Sequence, residues 1–483
     1  MPSFLRQTSP TRLALFLICA ITLFRLWYAM QIGLVADEAY YWLWAKHPAL
    51  SYRDKGPLVA WIIWLGTEIF GNNVFGIRFF AVLLSSATGW LIFLLARRLY
   101  DERIALWCLL MALVIPEMAV GSIIMTIDTP SVFCWALAVL LFWEGLHNDK
   151  ISTWFWLGLA VGAGFLAKFT NGVQLICIGL FLLCSKEHRR LLISRQTIAM
   201  SVAFLLAASP ILIWNMQTGW VHLKALHSRS GVTNTFHVSL TPFSRFIGEQ
   251  FGVISPFFMI GIVVAVIALL LKRREDLRVR FLLCQYLPVY ALFGFFALNN
   301  AGQPNWTVPA LVTGIIFTVV FWRDVMAHSA IWRGIVAAAF IITAIATAAL
   351  HDVQNFHLPG KYDLMSRAEG WPDFVAHIQK ARAANHANLL LGADYQCASL
   401  MAFYLPDQPQ TYLPPEPYGS SQFTLWPDYK VSPDTRALFV TWGITNKPAS
   451  LVQQFSKIQL VDDFTTRNQG LPRKPVSIYL CTP

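Results

Sequence analysis

Long apolar runs, each close to the length that crosses a bilayer, fill most of the first 350 residues of the chain. A membrane-spanning helix needs about 20 mainly apolar residues. The candidate spans are residues 13–31, 76–96, 104–123, 128–146, 153–167, 169–184, 197–214, 250–271, 280–298, 305–322 and 334–350. Charged residues make up only 13% of the chain, about half of the share typical of soluble domains. The pattern predicts a polytopic α-helical membrane protein with about eleven transmembrane helices.

Lysine and arginine residues collect in alternate gaps between the predicted spans. Arg97, Arg98 and Arg103 share one such gap, whereas the gap between Pro116 and Pro130 contains neither residue type. Because cytoplasmic loops are enriched in Lys and Arg, the pattern predicts a cytoplasmic N-terminus and an extracytoplasmic C-terminus. The first apolar run lacks a signal-peptide cleavage site and is expected to stay as a helix. Anionic lipid explains the net charge of +11 better than nucleic acid does.

This topology leaves three long segments outside the membrane. They are residues 32–75, residues 215–249 and the tail that begins at residue 351. In the first segment, Gly56–Gly71 is apolar but too short to span, which predicts an interfacial helix. We therefore predict two domains, a transmembrane domain at 1–350 and a small extracytoplasmic α/β domain at 351–483.

The tail alternates between helical and strand patterns. Periodicity predicts helices at 370–384, 395–405 and 448–456, and strands at 387–394, 436–443, 457–464 and 475–482. The tail also contains Cys397 and Cys481. A disulfide between them is compatible with an extracytoplasmic location and is left open.

The first outer segment carries much charge for so apolar a chain. Asp37 and Glu38 follow the first span and are flanked by aromatic residues such as Tyr40, and Ser51–Pro57 adds a second charged cluster around Lys55. Such acids often lie in solvated loops or cap helices. The flanking aromatic residues favour instead a surface folded against membrane or ligand, where a lysine can bind a lipid phosphate.

Three further ionisable residues lie at the ends of predicted spans. Asp128 precedes Thr129 and Pro130, a context that fits either a functional acid or a simple helix cap. Lys168 is a functional candidate because ionisable residues at membrane depth are rare and usually have a role. Arg78 opens the second span, where it either serves the site or extends to the lipid headgroups.

Other motifs narrow the range of functions. His222, His227 and His237 share one loop, but their spacing forms no helical face for a metal, so no metal ligand is assigned, and a divalent metal stays open as a cofactor. The uncharged segment Asn299–Trp306 is polar enough to hydrogen-bond sugar hydroxyls. The sequence has no glycine-rich phosphate loop, which argues against ATP or a nucleotide sugar as the substrate.

Five short motifs occur in one familiar order. They are ADEAYYW at 36–42, YRDKGPLVAW at 52–61, FGIR at 75–78, TIDTP at 126–130 and LAKFTNG at 166–172. With them the chain resembles the bacterial GT-C membrane glycosyltransferases, the protein O-mannosyltransferase-like enzymes that include the lipid A aminoarabinose transferases. The resemblance implies the GT-C fold, the bacterial inner membrane, a polyprenyl-phosphate sugar donor, and an acceptor on lipid A, lipopolysaccharide core or another envelope glycan.

The resemblance also implies roles for individual residues. The catalytic residues would be Asp37, Asp128 and Glu38; the donor phosphate would contact Lys55, Arg78, Arg53 and Lys168; and the substrate would contact Tyr40, Tyr52 and Asp54. Asp37 would take the proton of the acceptor hydroxyl as the anomeric carbon is inverted. Because phosphate is a good leaving group, the reaction needs cations for that phosphate and no general acid, unlike glycoside hydrolysis.

Two positions depart from the family pattern. Gly56 separates Lys55 from Pro57, where the aminoarabinose transferases have Lys-Pro, and Asp54 stands where they have Glu. Two other functions also stay open, protein O-glycosylation and the flipping of lipid-linked sugars without chemistry. Transporters typically place broken helices and acids near the bilayer midplane, whereas the acids here gather at the outer ends of the predicted spans.

Overall fold

The chain folds into two compact units. A computed structural model describes residues 9–224, 238–273, 275–299, 302–351, 364–415, 421–444, 447–468 and 470–483. The first unit comprises residues 1–27, 55–59 and 78–351, and the second comprises residues 28–54, 60–77 and 352–483. Most of the first outer segment thus belongs to the same unit as the tail, whereas the predicted domain boundary at residue 350 stays a prediction.

Helices account for most of the described residues. They are α1 (Pro10–Ala29), α2 (Ala36–Lys46), α3 (Leu58–Phe70), α4 (Val74–Leu99), α5 (Glu102–Val114), α6 (Pro116–Val120), α7 (Asp128–Asn148), α8 (Ile151–Ala167), α9 (Val173–Cys184), α10 (Arg195–Gln217), α11 (Leu240–Ile254), α12 (Pro256–Lys272), α13 (Leu277–Leu298), α14 (Leu311–His328), α15 (Ala330–His351), α16 (Trp371–Ala384), α17 (Tyr395–Tyr404) and α18 (Ala449–Gln454). Short 3₁₀ turns at Phe169–Gly172 and Pro304–Ala310 contribute to the site described below.

The protein is a multi-span membrane protein, as the apolar runs predict. Within the described ranges, seven helices are long and apolar enough to cross a membrane, or eight if the bent pair of α11 and α12 forms one span. The count of eleven spans stays a prediction. Three predicted spans fold as shorter helices, namely α5, α8 and α9, and α5 ends early because Pro116 holds Ile115 in an extended conformation.

The predicted span at 250–271 is bent. Helix α11 begins earlier than predicted, at Leu240, and the chain bends by 112° between α11 and α12. The break lies at Ser255, whose φ is 98°, and Pro256 then opens α12. Proline has no amide hydrogen to continue α11 and restricts the residue before it, whereas it fits the first turn of a new helix.

The second unit contains a four-stranded sheet and confirms the predicted small α/β fold of the tail. Its strands are β1 (Leu389–Gly392), β2 (Ala437–Thr441), β3 (Lys457–Asn468) and β4 (Leu471–Thr482), in the order β1-β2-β4-β3. Strands β1 and β2 are parallel, with α17 between them along the chain, and β3 and β4 form an antiparallel hairpin. The core of the sheet includes Leu391, Phe439 and Tyr479.

The length of the β3–β4 hairpin differs from the expectation, and the structure answers the open question of the disulfide. Strand β3 continues beyond the predicted end at residue 464, and β4 begins before the predicted start at residue 475. Main-chain pairing continues to Asn468 and Leu471 after the apolar alternation has ended. Gly470 supports the tight turn with a φ of 80°. Cys397 and Cys481 are both buried free thiols, and Cys397 Sγ lies 3.4 Å from the carbonyl oxygen of Val440. The disulfide left open by the sequence is therefore not formed.

Candidate active site

Asp128, the first residue of α7, lies between two hydrogen-bond donors. Lys168 Nζ is 2.6 Å from Asp128 Oδ1, and Asn305 Nδ2 donates to Asp128 Oδ2 over 2.8 Å. The Lys168 side chain is 7% exposed and that of Asp128 is 25% exposed. The carboxylate makes no cap on its own helix, so the simple capping role is not observed. Because an isolated buried charge is very unfavourable, each of these two charges depends on the other.

Local backbone structure brings this pair together. Lys168 follows the last residue of α8 in an extended conformation, which ends the helix and starts the 3₁₀ turn at Phe169–Gly172. In this turn Asn171 accepts a hydrogen bond from Ser131 Oγ over 2.7 Å and donates to the Ser131 carbonyl over 2.9 Å. Hydrogen bonds between the Asn171 side chain and both the side chain and the main chain of Ser131 therefore connect the start of α7 to the end of α8.

Asn305 is held by a second buried polar network. Gln250 of α11 donates to the Pro304 carbonyl over 3.1 Å and accepts from Thr307 Oγ1 over 2.7 Å. This fixes the 3₁₀ turn that carries Asn305. The segment Asn299–Trp306, expected from its polarity to hydrogen-bond sugar, thus directs one of its amides onto Asp128.

Glu117 is a further acid near Asp128 that none of the five sequence motifs includes. It lies in α6, which is not among the helices long and apolar enough to cross a membrane. Burial, reinforced by the nearby Asp128, raises the pKa of Glu117 to about 7. Glu117 and Asp128 line one small cavity of about 60 Å³ together with Arg25, Ser85 and Thr88. The sequence signal for Glu117 was its position as the second acid in a loop that is otherwise free of charge.

Lys55 and Arg78, two predicted phosphate ligands, also belong to the first unit. Lys55 is half-buried, and its neighbour Gly56 packs so tightly that a Cβ there would lie 1.9 Å from the carbonyl oxygen of Leu166. A side chain at position 56 therefore does not fit without a shift of the backbone, and the contact places the Lys55 backbone near the end of α8. Arg78 is 1% exposed, so it is buried in protein and does not extend to the headgroups.

In the second unit, Asp37 and Glu38 open helix α2. Asp37 is half-buried and accepts a hydrogen bond from Tyr395 Oη over 3.3 Å. Burial, with the Asp37 charge second, raises the pKa of Tyr395 to about 12, so the phenol stays a donor. Glu38 is fully buried, and its carboxylate accepts the amide of Val35 over 3.0 Å. Glu38 therefore caps the helix that presents Asp37.

The remaining predicted residues form a second hydrogen-bonded group in this unit. Tyr40 Oη lies 3.4 Å from Asp54 Oδ2 and accepts the Gln422 amide over 2.6 Å. Arg53 pairs with Asp54 over 3.0 Å, and its amide donates to Gln422 Oε1 over 2.8 Å. Tyr52 is fully buried, stacks on Trp44, and donates to the Trp44 carbonyl over 2.8 Å. These contacts indicate that Tyr52 stabilises the conformation of the loop between α2 and α3.

The predicted residues thus fall into two groups. Lys55, Arg78, Asp128 and Lys168 lie in the first unit, and the other six lie in the second. Sequence reasoning missed Asn305 as a partner of Asp128, and it missed Tyr395 and Gln422, which are far along the chain from the residues they contact. Nothing in the local patterns indicates these pairings.

The described residues include no set of side chains that could hold a metal ion. No group of three or more His, Cys, Asp or Glu side chains converges within the described ranges. His222 is 2% exposed and packs on the ring of Phe169. His227 and His237 lie outside the described residues.

Comparison with known proteins identifies the fold. Residues 54–214 match the family of dolichyl-phosphate-mannose-protein mannosyltransferases. The crystal structure of ArnT from Cupriavidus metallidurans bound to undecaprenyl phosphate superposes with a TM-score of 0.64 over 96% of this chain and 97% of that chain, at 16% identity. The protein has the GT-C membrane fold. The resemblance seen in the sequence motifs is confirmed.

Curated relatives of this GT-C protein are named as lipid A-modifying or aminoarabinose transferases. The lipid A galacturonosyltransferase RgtD of Rhizobium johnstonii is 27% identical over 340 residues, which cover 67% of this chain and 69% of the relative. An undecaprenyl phosphate-alpha-4-amino-4-deoxy-L-arabinose arabinosyl transferase of Pseudomonas paraeruginosa is 29% identical over 215 residues, 43% of this chain. That second match spans only 37% of the relative.

The buried pair predicts a specific pattern of stability. Lys168→Met leaves the Asp128 charge without its cation and is expected to destabilise the protein by on the order of 3 kcal/mol. The double variant Lys168→Met/Asp128→Asn removes both charges and should melt above the single Lys168→Met variant. Thermal unfolding in detergent measures this order. The exposed pair Arg382–Asp407 is the control, where Arg382→Met should have almost no effect. Equal melting temperatures for the single and double variants would argue against the coupling.

The close approach at Gly56 predicts a steric effect on Lys55. Gly56→Ala places a Cβ against the Leu166 carbonyl, so the backbone that carries Lys55 must shift, and a shift of about 1 Å can cost a site 10²-fold in activity. Gly179→Ala, in α9, meets no atom within 4 Å and serves as the matched control. The measurement is transfer activity at equal protein level; full activity of Gly56→Ala would refute the steric account.

The raised pKa of Glu117 predicts a pH-dependent stability. An acid whose pKa is higher in the folded state than its ordinary value of 4.5 stabilises the fold below pH 4.5, and this contribution is lost as the pH rises to about 7. The melting temperature of the wild type should therefore fall by several degrees relative to Glu117→Gln between pH 5 and pH 8. Parallel curves for the two proteins would show that Glu117 titrates normally.

Proposed function

We propose that the protein is an inverting glycosyltransferase that moves a sugar from a polyprenyl-phosphate donor to a hydroxyl or phosphate of lipid A, lipopolysaccharide core or another envelope glycan. The observation that carries this proposal is the buried Asp128–Lys168 pair with Asn305, an ionic site built into a bundle of membrane helices. Membrane proteins rarely retain such charges without a role. The relatives named as lipid A galacturonosyltransferase and aminoarabinose transferase support the same chemistry.

The reaction needs one base and one set of cations. Asp37 takes the proton from the acceptor hydroxyl, the hydroxyl oxygen forms a bond to the anomeric carbon, and the bond from that carbon to the phosphate oxygen breaks. The electron pair leaves with the polyprenyl phosphate. The hydrogen bond from Tyr395 orients the Asp37 carboxylate, while the Glu38 cap fixes the helix that carries it. Positioned bases of this kind contribute about 10²–10⁴-fold to rate.

The donor phosphate requires positive charge as the bond to it breaks. We assign this role to Lys55 and Arg78, with Arg53 and Lys168 as supporting cations. Lys168 and Arg53 pair with Asp128 and Asp54. Asp128, fixed by Lys168 and Asn305, is suited to orient a sugar hydroxyl, and Tyr40, Tyr52 and Asp54 shape the acceptor side.

The proposed setting is the bacterial inner membrane, with a cytoplasmic N-terminus and the C-terminal domain in the periplasm. The arginine-rich gaps between spans support this orientation. Two alternatives are outcomes of the same assay. Transfer to a protein acceptor would make the enzyme a protein O-glycosyltransferase, and movement of the lipid-linked sugar without release of polyprenyl phosphate would make it a flippase.

Asp37→Asn tests the proposed base. The amide keeps the shape and the Tyr395 contact but cannot accept the proton, so transfer should fall by about 10²–10⁴-fold while donor binding is retained. The assay follows release of undecaprenyl phosphate from a purified, reconstituted enzyme given lipid A. Asp434→Asn, at an exposed position in the tail, is the matched control. A near wild-type rate for Asp37→Asn would exclude Asp37 as the base.

A further inference from the structure

A cavity of about 480 Å³ lies within the second unit, and the proposed reaction uses none of the residues that line it. The end of helix α2 forms one wall with Trp42 and Lys46, and His47 follows directly after the helix. The other walls come from residues 408–415 and from part of 423–428. Ligand pockets in proteins usually measure about 300–1,000 Å³. The cavity therefore has the size of a small-molecule site.

This cavity is separate from the proposed base. Lys46 follows Asp37 by nine positions in the same helix, which corresponds to about 14 Å along the helix axis and about two and a half turns. The two side chains therefore leave α2 on opposite faces. Binding in the cavity can be changed without altering the chemistry proposed for Asp37.

Aromatic rings form a platform around Trp426 in this cavity. Trp426 is half-buried, and the ring of His47 packs against it at a centroid distance of 4.9 Å. Phe423 contacts the same indole edge-on at 5.1 Å. Because the face of an aromatic ring is partly negative, it attracts C–H groups, which carry a slight positive charge. The flat C–H face of a pyranose ring is a suitable partner for such a surface.

Hydrogen-bonding groups surround these rings. Gln410 and Thr424 contribute an amide and a hydroxyl to the lining. Within the residues that the structure describes, neither the Gln410 amide nor the indole N–H of Trp426 makes a hydrogen bond to the protein. An amide both donates and accepts hydrogen bonds, as does a sugar hydroxyl. A saccharide, which combines an apolar face with a rim of hydroxyls, uses both parts of this lining.

The charges of the lining favour a neutral sugar. Lys46 and Asp428 contribute one charge of each sign. Burial, with the Lys46 charge second, lowers the pKa of His47, so its imidazole is neutral at neutral pH. Phosphates and carboxylates are bound best by the planar guanidinium of arginine, and no arginine is among the described residues that line this cavity.

One rim of the cavity, at residues 408–415, is preformed. Three prolines in this segment line the cavity and restrict its backbone. Main-chain pairing joins the segment to β1, because the Tyr412 amide donates to the Leu390 carbonyl over 3.0 Å and the Gly392 amide donates to the Tyr412 carbonyl over 2.9 Å. A rigid rim lowers the entropic cost of binding a ligand.

We propose that this cavity binds a neutral saccharide, with a pyranose ring on Trp426 and hydroxyls on Gln410 and Asp428. The inference goes beyond the proposed function, because this binding needs neither a lipid-linked donor nor transfer. A site of this kind keeps a glycan at the protein independently of the residues assigned to catalysis.

Saturation-transfer NMR on the full-length protein in detergent tests the site. The probes are the neutral disaccharides maltose, lactose, cellobiose and diacetylchitobiose, supplied without any donor. We expect at least one of them to bind, and Trp426→Ala to raise its Kd at least about 10-fold, because tryptophan anchors carry much of the energy of a binding site. Trp64→Ala removes an exposed indole of α3 that does not line the cavity, and as the matched control it should leave the Kd unchanged.

Several outcomes would overturn the inference. Binding of none of the four disaccharides, or equal affinity in wild type and Trp426→Ala, would refute a saccharide site, and displacement of the sugar by inorganic phosphate at equal concentration would reassign the cavity to an anion. If Trp426→Ala does not fold, Gln410→Ala, at an exposed position, should still weaken binding several-fold, and an unchanged Kd would count against the site. Sugar binding without any glycosyl transfer would refute the proposed function alone.

Discussion

Charge burial within a membrane protein is the constraint on which the first unit depends. Asp128 and Lys168 lie 40 positions apart in the chain, yet their side chains meet at 2.6 Å, and Asn305 completes the coordination of the carboxylate. Neither charge is tolerable alone, so the start of α7, the end of α8 and the turn at Pro304–Ala310 must assemble together. The same requirement makes these segments a rigid support for chemistry on a lipid-linked substrate.

Local patterns in the sequence predict the parts of the structure that rest on local forces. Apolar runs predict the membrane character of the chain, and alternating helix and strand periodicity predicts each α-helix and strand of the sheet-containing tail, although not its short 3₁₀ turns. The apolar runs do not predict where proline interrupts a span. Pro116 shortens one predicted span, and Pro256 bends another. The hairpin β3–β4 extends beyond its apolar alternation because main-chain pairing does not depend on side-chain pattern.

Long-range pairings lie beyond such reasoning. The contact of Asn305 with Asp128 joins residues 177 positions apart, and that of Tyr395 with Asp37 joins residues 358 positions apart. Single-sequence patterns carry no signal for either. The motifs nevertheless point to the acids themselves, because ionisable residues stand out in so apolar a chain.

Glycosyl transfer by the wild-type protein itself is the decisive test of the proposed function. Purified protein in proteoliposomes is supplied with undecaprenyl-phosphate-linked sugars and lipid A, and both lipids are followed by mass spectrometry. A glycosyltransferase of the proposed kind is expected to add the mass of one sugar residue to lipid A and to release undecaprenyl phosphate in equal amount. Movement of the donor across the bilayer with no change in either mass would contradict it.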